Sequence, residues 1–471
     1  MTTIDWTKEV EARKEALLED LFGLLRVPSV REDDKATADA PVGPGPKEAL
    51  LHFLALGERD GFVTKNVENI AGHIEFGAGD ETLGIFSHVD VVPVGTGWDT
   101  DPFEPVIKDG RIYARGSSDD KGPSMAAYYA IKMIKELELP TSKRIRLIIG
   151  TDEESSWKCV DRYLEVEETP DFGFAPDAEF PIINGEKGNV TVSLNLAGEN
   201  EGAVKLISFK AGLRANMVPE SGTAVLEVTD ADVLASITAD LEKYVTEQGI
   251  SGEVTIDGST VTVFIKGKSA HGASPHLGIN GGTHLANFLN QYAFEGNAKT
   301  YINTIATFLH DDTKGEKIGV AIADDIMGEL SLNVGVFKFD VTSADNSVIL
   351  NMRYPKGTDE ATIGQQIADS LAATDFAVEV LEGGKGPHYV PEDDELVKTL
   401  LSVYEEHTGL KGHGQVIGGG TFGRLLERGV AYGAMFPDSI DTMHQANEFM
   451  ALNDLFRATA IYADAIYRLV K

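Results

Sequence analysis

Leu83-Gly84-Ile85-Phe86-Ser87-His88-Val89-Asp90-Val91-Val92-Pro93 is the stretch from which the rest of the chain can be read. The apolar run Leu83 to Phe86 predicts a short buried strand, and Pro93 marks where it has ended. A strand end holds its side chains rigidly. A histidine there, with a carboxylate two residues on, has a partner that can fix the ring's tautomer and aim its other nitrogen at a metal. His-x-Asp is common by chance, so the reading depends on what neighbouring strands carry.

Around this stretch, helices and strands alternate. Residues 8–28 carry a helical pattern, and a second helix is predicted over 47–58 after the turn Pro41-Val42-Gly43-Pro44-Gly45-Pro46. Further on, Gly122 opens a helix to about Leu137, and Arg144–Gly150 and Phe172–Ala175 read as strands. The alternation predicts an α/β fold with a mostly parallel mixed sheet flanked by helices. Chemistry in such sheets collects at the carboxyl ends of strands. His88, Glu153 and Asp177 all fall there.

From about residue 186 the texture changes. Strand Thr223–Val228, an acidic helix start at Asp230, a helix to about Tyr244 and strand Gly252–Ile256 share their element order with strand Val348–Arg353, Asp359, a helix to about Leu371 and strand Phe376–Leu381. The expected organisation is a catalytic domain in two pieces, 1–185 and 384–471. Between them lies an inserted α+β lid domain, 186–383, made of two related halves. Gly383-Gly384-Lys385-Gly386-Pro387 is the expected return hinge. Beyond it the α/β pattern resumes, with a helix from Glu395, a strand near Ala431–Phe436 and a last helix from Asn453.

The 471-residue chain carries 75 acidic against 41 basic residues, a net charge of −34. A phosphate-binding face needs basic residues, so nucleic acid is not an expected partner. No apolar run is long enough for a membrane span, the first residues lack a secretory pattern, and one cysteine, Cys159, allows no internal disulfide; a cytoplasmic location is expected.

Four more segments join His88 and Asp90. They are Arg115-Gly116-Ser117-Ser118-Asp119-Asp120-Lys121-Gly122, Gly150-Thr151-Asp152-Glu153-Glu154, Pro176-Asp177-Ala178-Glu179 and Thr442-Met443-His444-Gln445-Ala446-Asn447-Glu448. Each has an ordinary explanation alone: aspartates cap helices, and acids decorate loops. Together, two histidines and several carboxylates at strand ends of one sheet suit a pair of borderline-hard divalent ions, zinc first and manganese or cobalt as substitutes. Two such ions, about 3.5–4 Å apart, need a bridging carboxylate. Glu153 beside Glu154 offers one acid for metal and one for proton transfer.

These segments, with Gly267-Lys268-Ser269-Ala270-His271-Gly272-Ala273-Ser274-Pro275, resemble the M20 metallopeptidases. The long insertion, residues 176–186 and Ile417-Gly418-Gly419-Gly420-Thr421-Phe422-Gly423-Arg424 look most like the bacterial dipeptidase V branch, the carnosinase-like Xaa-His dipeptidases. The resemblance implies two zinc ions per chain. His88, Asp177 and a bridging Asp119 would hold one, and His444, Glu154 and Asp119 the other. Asp90 would orient His88, and Glu153 would be the general base for a bridging hydroxide. His271 would stabilise the oxyanion, and Asn216, Arg353, Gly420 and Thr421 would bind substrate. A cis peptide at Asp119–Asp120 is also implied.

The expected activity is hydrolysis of the amide bond of unblocked dipeptides, with a small peptide as the partner molecule and a functional monomer as the working form. The alternatives are a desuccinylase or aminoacylase with the same metal site, and a silent binding protein on the same fold. Gly418-Gly419-Gly420-Thr421 lacks the Gly-Lys-Ser/Thr ending of a phosphate loop. Cys159 reads as a packed thiol. His52, His73, His284, His310, His407 and His413 have no ligand-like spacing and read as core or surface residues; His276 and His388 stay unassigned.

Overall fold

The computed structural model describes residues 4–198 and 202–471. The chain forms two compact units, Met1–Gly185 with Tyr389–Lys471, and Glu186–His388. The second unit continues past the glycines at 383–386, because Lys385 and Asn189 exchange backbone hydrogen bonds at 2.9 and 3.1 Å.

The first unit is built on a nine-stranded sheet. In order it runs Val63–Val67, Ala71–Gly77, Arg144–Gly150, Thr82–His88, Phe172–Ala175, Gly429–Ala431, Ile183–Glu186 and His388–Tyr389, with Gln415–Ile417 paired to Ile183–Glu186. Its centre is parallel, from Arg144–Gly150 through Thr82–His88 and Phe172–Ala175 to Gly429–Ala431. Outside that centre, Val63–Val67, Ala71–Gly77 and Ile183 pair antiparallel. The parallel strands are buried along nearly their whole length, as covering on both faces requires. Alternate residues serve opposite cores. Ile85 and Leu147 face Leu24, Phe53 and Met125, while Phe86 and Ile148 face Cys159, Val160 and Tyr163. Such period-two sorting follows from the pleat. Phe86 is 1% exposed, and truncating it to alanine would cost about 3–5 kcal/mol.

Helix Lys121–Glu136 buries Met125, Ala126, Tyr129, Ala130, Met133 and Ile134 at helical spacing and packs against helix Leu452–Val470. The chain over 8–28 is two helices, Trp6–Glu11 and Lys14–Leu25. The next helix starts earlier than its apolar pattern, at Pro44, because a proline in the first turn has no hydrogen-bonded N–H to lose. The segment read as one strand near Ala431–Phe436 is broken into Gly429–Ala431 and Ala434–Met435 around a cis Gly433–Ala434 bond.

The second unit holds an antiparallel eight-stranded sheet whose order is palindromic in element type. The outer strands Ser251–Asp257 and Ala377–Val380 each follow a helix, Ala231–Gln248 and Glu360–Ser370. Those helices start at Asp230 and Asp359, whose carboxylates accept backbone N–H groups of the first turn. The strands preceding the helices, Ser221–Val228 and Asn346–Tyr354, lie inward of Thr260–Lys266 and Gly188–Leu196. At the centre Val204–Ala211 pairs antiparallel with Ser331–Asp340.

Candidate metal centre

Strand register brings the first ligands together. His88 pairs with Gly150, so Thr151 to Glu154 leave the sheet beside it. Leu83 faces Phe172 and Ile85 faces Phe174; the same offset carried on sets His88 level with Asp177. Asp119 arrives on the loop before helix Lys121–Glu136, and its bond to Asp120 is cis.

Two groups of potential ligands share Asp119: His88 with Asp119 and Asp177, and Asp119 with Glu154 and His444, with the ligand atoms of each group within 4.8 Å of one another. Asp119 Oδ1 lies 3.2 Å from His88 Nε2, and its Oδ2 lies 2.9 Å from His444 Nε2. Glu154 Oε1 is 3.1 Å from the same His444 nitrogen.

The His88 ring tests whether a cation fits. Its Nδ1 is 3.0 Å from the Asp90 carbonyl oxygen, which can only accept, so the proton sits on Nδ1. Nε2 is then a bare lone pair. It is buried, makes no hydrogen bond among the described residues, and faces carboxylate oxygens of Asp119 at 3.2 Å and Asp177 at 3.6 Å. A lone pair against two carboxylates is repulsive unless a cation stands between them. In the absence of metal the position draws a proton instead. Burial opposes the charge on His88, but Asp119, Asp177 and Asp90 raise its affinity well above the ordinary imidazole range. Asp119 and Glu154 hold the His444 ring charged, with a pKa pushed up to about 10. The donor set, neutral nitrogen and carboxylate oxygen, suits zinc and its first-row neighbours.

The supporting contacts are as specific. Asp90 Oδ1 accepts the Glu153 backbone N–H and Oδ2 that of Glu154, each at 3.1 Å. Burial, with Asp177 and Glu154 nearby, raises the Glu153 carboxyl well above its usual range; burial and Asp119 push Glu154 up to about 7. Asp120 Oδ2 accepts the His88 backbone N–H at 3.2 Å and the Ser124 hydroxyl at 2.8 Å. Phe422 stands edge-on to the His88 ring, centroids 6.3 Å apart. Next to it, Thr421 Oγ1 accepts the Gly423 N–H at 3.1 Å, while Gly420 is exposed.

Sequence reasoning gave Glu448 no role. Its fully buried carboxylate accepts from Arg115 Nη1 at 2.7 Å and from the backbone N–H groups of Gly116, Ser118 and Asp119 at 3.0, 2.9 and 3.2 Å. The loop that delivers Asp119 is wound around this one side chain. The only signal was an acid four residues after His444.

In the second unit, His271, Asn216 and Arg353 are neighbours. Asn216 accepts the Gly272 N–H at 2.7 Å, and the Asn333 side chain holds its loop by donating to Ala215 and Met217 carbonyls at 2.7 and 2.9 Å. His271 Nδ1 accepts the Ala273 N–H at 3.2 Å, so a neutral ring carries its proton on Nε2. Burial, then the Arg353 charge, lowers its pKa and keeps it neutral.

The profile of peptidase family M20/M25/M40 matches residues 84–468. Two staphylococcal proteins that carry the name "Putative dipeptidase" are similar over 468 residues, 98% of this chain and 99% of theirs: that of Staphylococcus saprophyticus is 43% identical and that of Staphylococcus epidermidis 45%. Among solved structures, aminoacylhistidine dipeptidase from Vibrio alginolyticus aligns over 97% of this chain and 96% of its own, with a TM-score of 0.58 at 13% identity, a likeness of fold.

Proposed function

The chain belongs to peptidase family M20/M25/M40, and on that premise we propose that it is a dipeptidase that hydrolyses the amide bond of short, unblocked peptides, Xaa-His dipeptides among them. The observation that carries the reading is the division of the Asp119 carboxylate, one oxygen toward His88 and the other toward His444. The staphylococcal relatives, named as dipeptidases, support the substrate class.

Two zinc ions are proposed, with manganese or cobalt able to substitute. His88, Asp119 and Asp177 would hold one, and Asp119, Glu154 and His444 the other. When bound they would supply positive charge that polarises the scissile carbonyl and acidifies water. Glu153, whose affinity for protons is raised by burial, takes a proton from the attacking water and returns it to the leaving amine. Asp90 keeps Glu153 in place through its backbone. His271 would donate Nε2–H to the oxyanion, and Arg353 would receive the peptide's terminal carboxylate, with Asn216, Gly420 and Thr421 as further substrate-binding residues.

We further propose that one chain suffices, with the second unit, Glu186–His388, as the lid. In the second unit the two halves already pair strand to strand through Val204–Ala211 and Ser331–Asp340. That continuous sheet supplies internally what an edge-to-edge dimer would supply. A lone buried cysteine fits a reducing, cytoplasmic setting.

A panel of free, N-blocked and C-amidated dipeptides tests the substrate class. Turnover of free dipeptides alone is expected. Preference for N-succinyl-diaminopimelate or N-acyl amino acids would replace the reading with that of a desuccinylase or aminoacylase, and no turnover of any of them with metal bound would favour a binding protein.

A further inference from the structure

Two histidines without ligand-like spacing, His284 and His310, meet inside the second unit. His284 lies on helix Gly281–Leu289, and His310 follows the helical turn Ile305–Leu309. The two residues are 8% and 7% exposed, with ring centroids 4.7 Å apart. One nitrogen of each and a carboxylate oxygen of Asp311 lie within 4.8 Å of one another. His284 and Asp311 also line a cavity of about 270 Å³ with His276, Thr283 and Asn333.

The hydrogen bonds decide which atoms are on offer. Thr283 Oγ1 stands 3.4 Å from His310 Nδ1 and 3.3 Å from the Asn280 carbonyl, so Nδ1 has an oxygen partner. His310 Nε2 faces Asp311 Oδ2 at 3.3 Å, so ring nitrogen and carboxylate oxygen converge on one point. His284 Nδ1 is engaged 3.1 Å from the Tyr244 hydroxyl, which Asn287 Nδ2 holds from a further 3.1 Å. An oxygen partner at one ring nitrogen is the usual device for aiming the other at a metal. Asp311 has a backbone φ of +52°, in the left-handed region that non-glycine residues seldom occupy. Its carboxylate is open to solvent, which gives an entry path.

Lys317 donates from its ammonium to the His310 carbonyl and fixes the turn.

We infer that His284, His310 and Asp311 form a third metal site, for a divalent ion of the zinc, cobalt or nickel class, with a position left for water on the cavity side. The ion ties helix Gly281–Leu289 to the turn after Leu309. That helix follows directly on the His271 segment, whose far end is pinned where Lys268 and Ile279 exchange backbone hydrogen bonds at 2.9 and 2.8 Å. The site therefore stiffens the support of His271 without touching substrate.

The test is metal stoichiometry of the full-length chain, stripped with chelator and titrated with Zn²⁺. His284→Ala and His310→Ala are each expected to bind one equivalent less than wild type and to lose part of the rise in melting temperature that Zn²⁺ produces. Asp311→Asn, an exposed change that leaves the fold intact, is expected to weaken that same equivalent, and it carries the test where a histidine variant fails to fold. Equal stoichiometry and affinity in wild type and variants would overturn the inference. The readout is a difference between proteins that all keep His88 and His444, so it stands whatever the state of the centre around Asp119.

Discussion

Asp90 carries Glu153: its Oδ1 accepts the Glu153 backbone N–H at 3.1 Å, while its main-chain carbonyl, 3.0 Å from His88 Nδ1, orients the histidine. One residue thus sets both a metal ligand and the proposed base. The carboxylate itself stands 3.4 Å from the ring, the weaker of the two contacts. Asp90→Ala should keep the His88 tether and release the Glu153–Glu154 turn. A loss of about 10- to 100-fold in kcat or in metal affinity on the Glu154 side is expected. Steady-state kinetics with metal titration checks it, and an unchanged kcat with unchanged metal affinity would refute it.

Glu153 and Glu154 are adjacent but have different neighbours, since only Glu154 reaches His444. Glu153→Ala is expected to lower kcat by about 10²–10⁴-fold with metal content intact. Glu154→Ala is expected to lose metal. The reverse pattern in metal analysis would exchange the two roles.

Glu448→Ala leaves Arg115 buried without its carboxylate and frees three backbone N–H groups before and at Asp119. A destabilisation of roughly 3–5 kcal/mol is expected, as when one partner of a buried ion pair is removed. Denaturant unfolding measures it; a change under 1 kcal/mol (about the value of a surface pair) would show that the loop is held by something else.

His73 gives a pH dependence remote from the centre. It is buried beside Tyr163, and burial, then the Arg146 charge, lowers its pKa to about 4. The unfolded chain takes up this proton below pH about 6.5 while the folded chain refuses it, so stability falls as pH drops from about 6.5 to about 4 and then levels. The difference amounts to about 3 kcal/mol. His73→Gln should flatten that part of the profile relative to wild type. Parallel profiles would show that His73 titrates normally.

His88, Glu154 and Asp177 were legible because apolar strands run straight into them, and a parallel register places successive strand ends side by side. The strands Val63–Val67 and Ala71–Gly77 were not read. The first lies at the sheet edge with an exposed pattern, and pairing across a sheet leaves little trace in an edge sequence. Glu448 was illegible for a different reason: a carboxylate that organises a loop 330 residues away by accepting backbone N–H groups imposes no side-chain pattern on that loop. His284 and His310 had no ligand-like spacing because the helix and the turn that bring them together meet only in the fold.

The single-chain reading predicts no complementation between Glu153→Ala and His271→Ala chains. Each alone should be inactive. Recovery of activity on mixing would show His271 working across subunits, and the proposal of a functional monomer would fail.

The most direct measurement of the central claim is hydrolysis of alanyl-histidine by chain stripped of metal with a chelator and then resupplied with Zn²⁺, beside Asp119→Asn treated in the same way. Activity should disappear with the metal and return with Zn²⁺ in the wild type only, while the variant recovers neither activity nor the metals held at His88 and His444. Full activity in the stripped wild type, or recovery in Asp119→Asn, would contradict a dipeptidase built on a carboxylate shared between two metals.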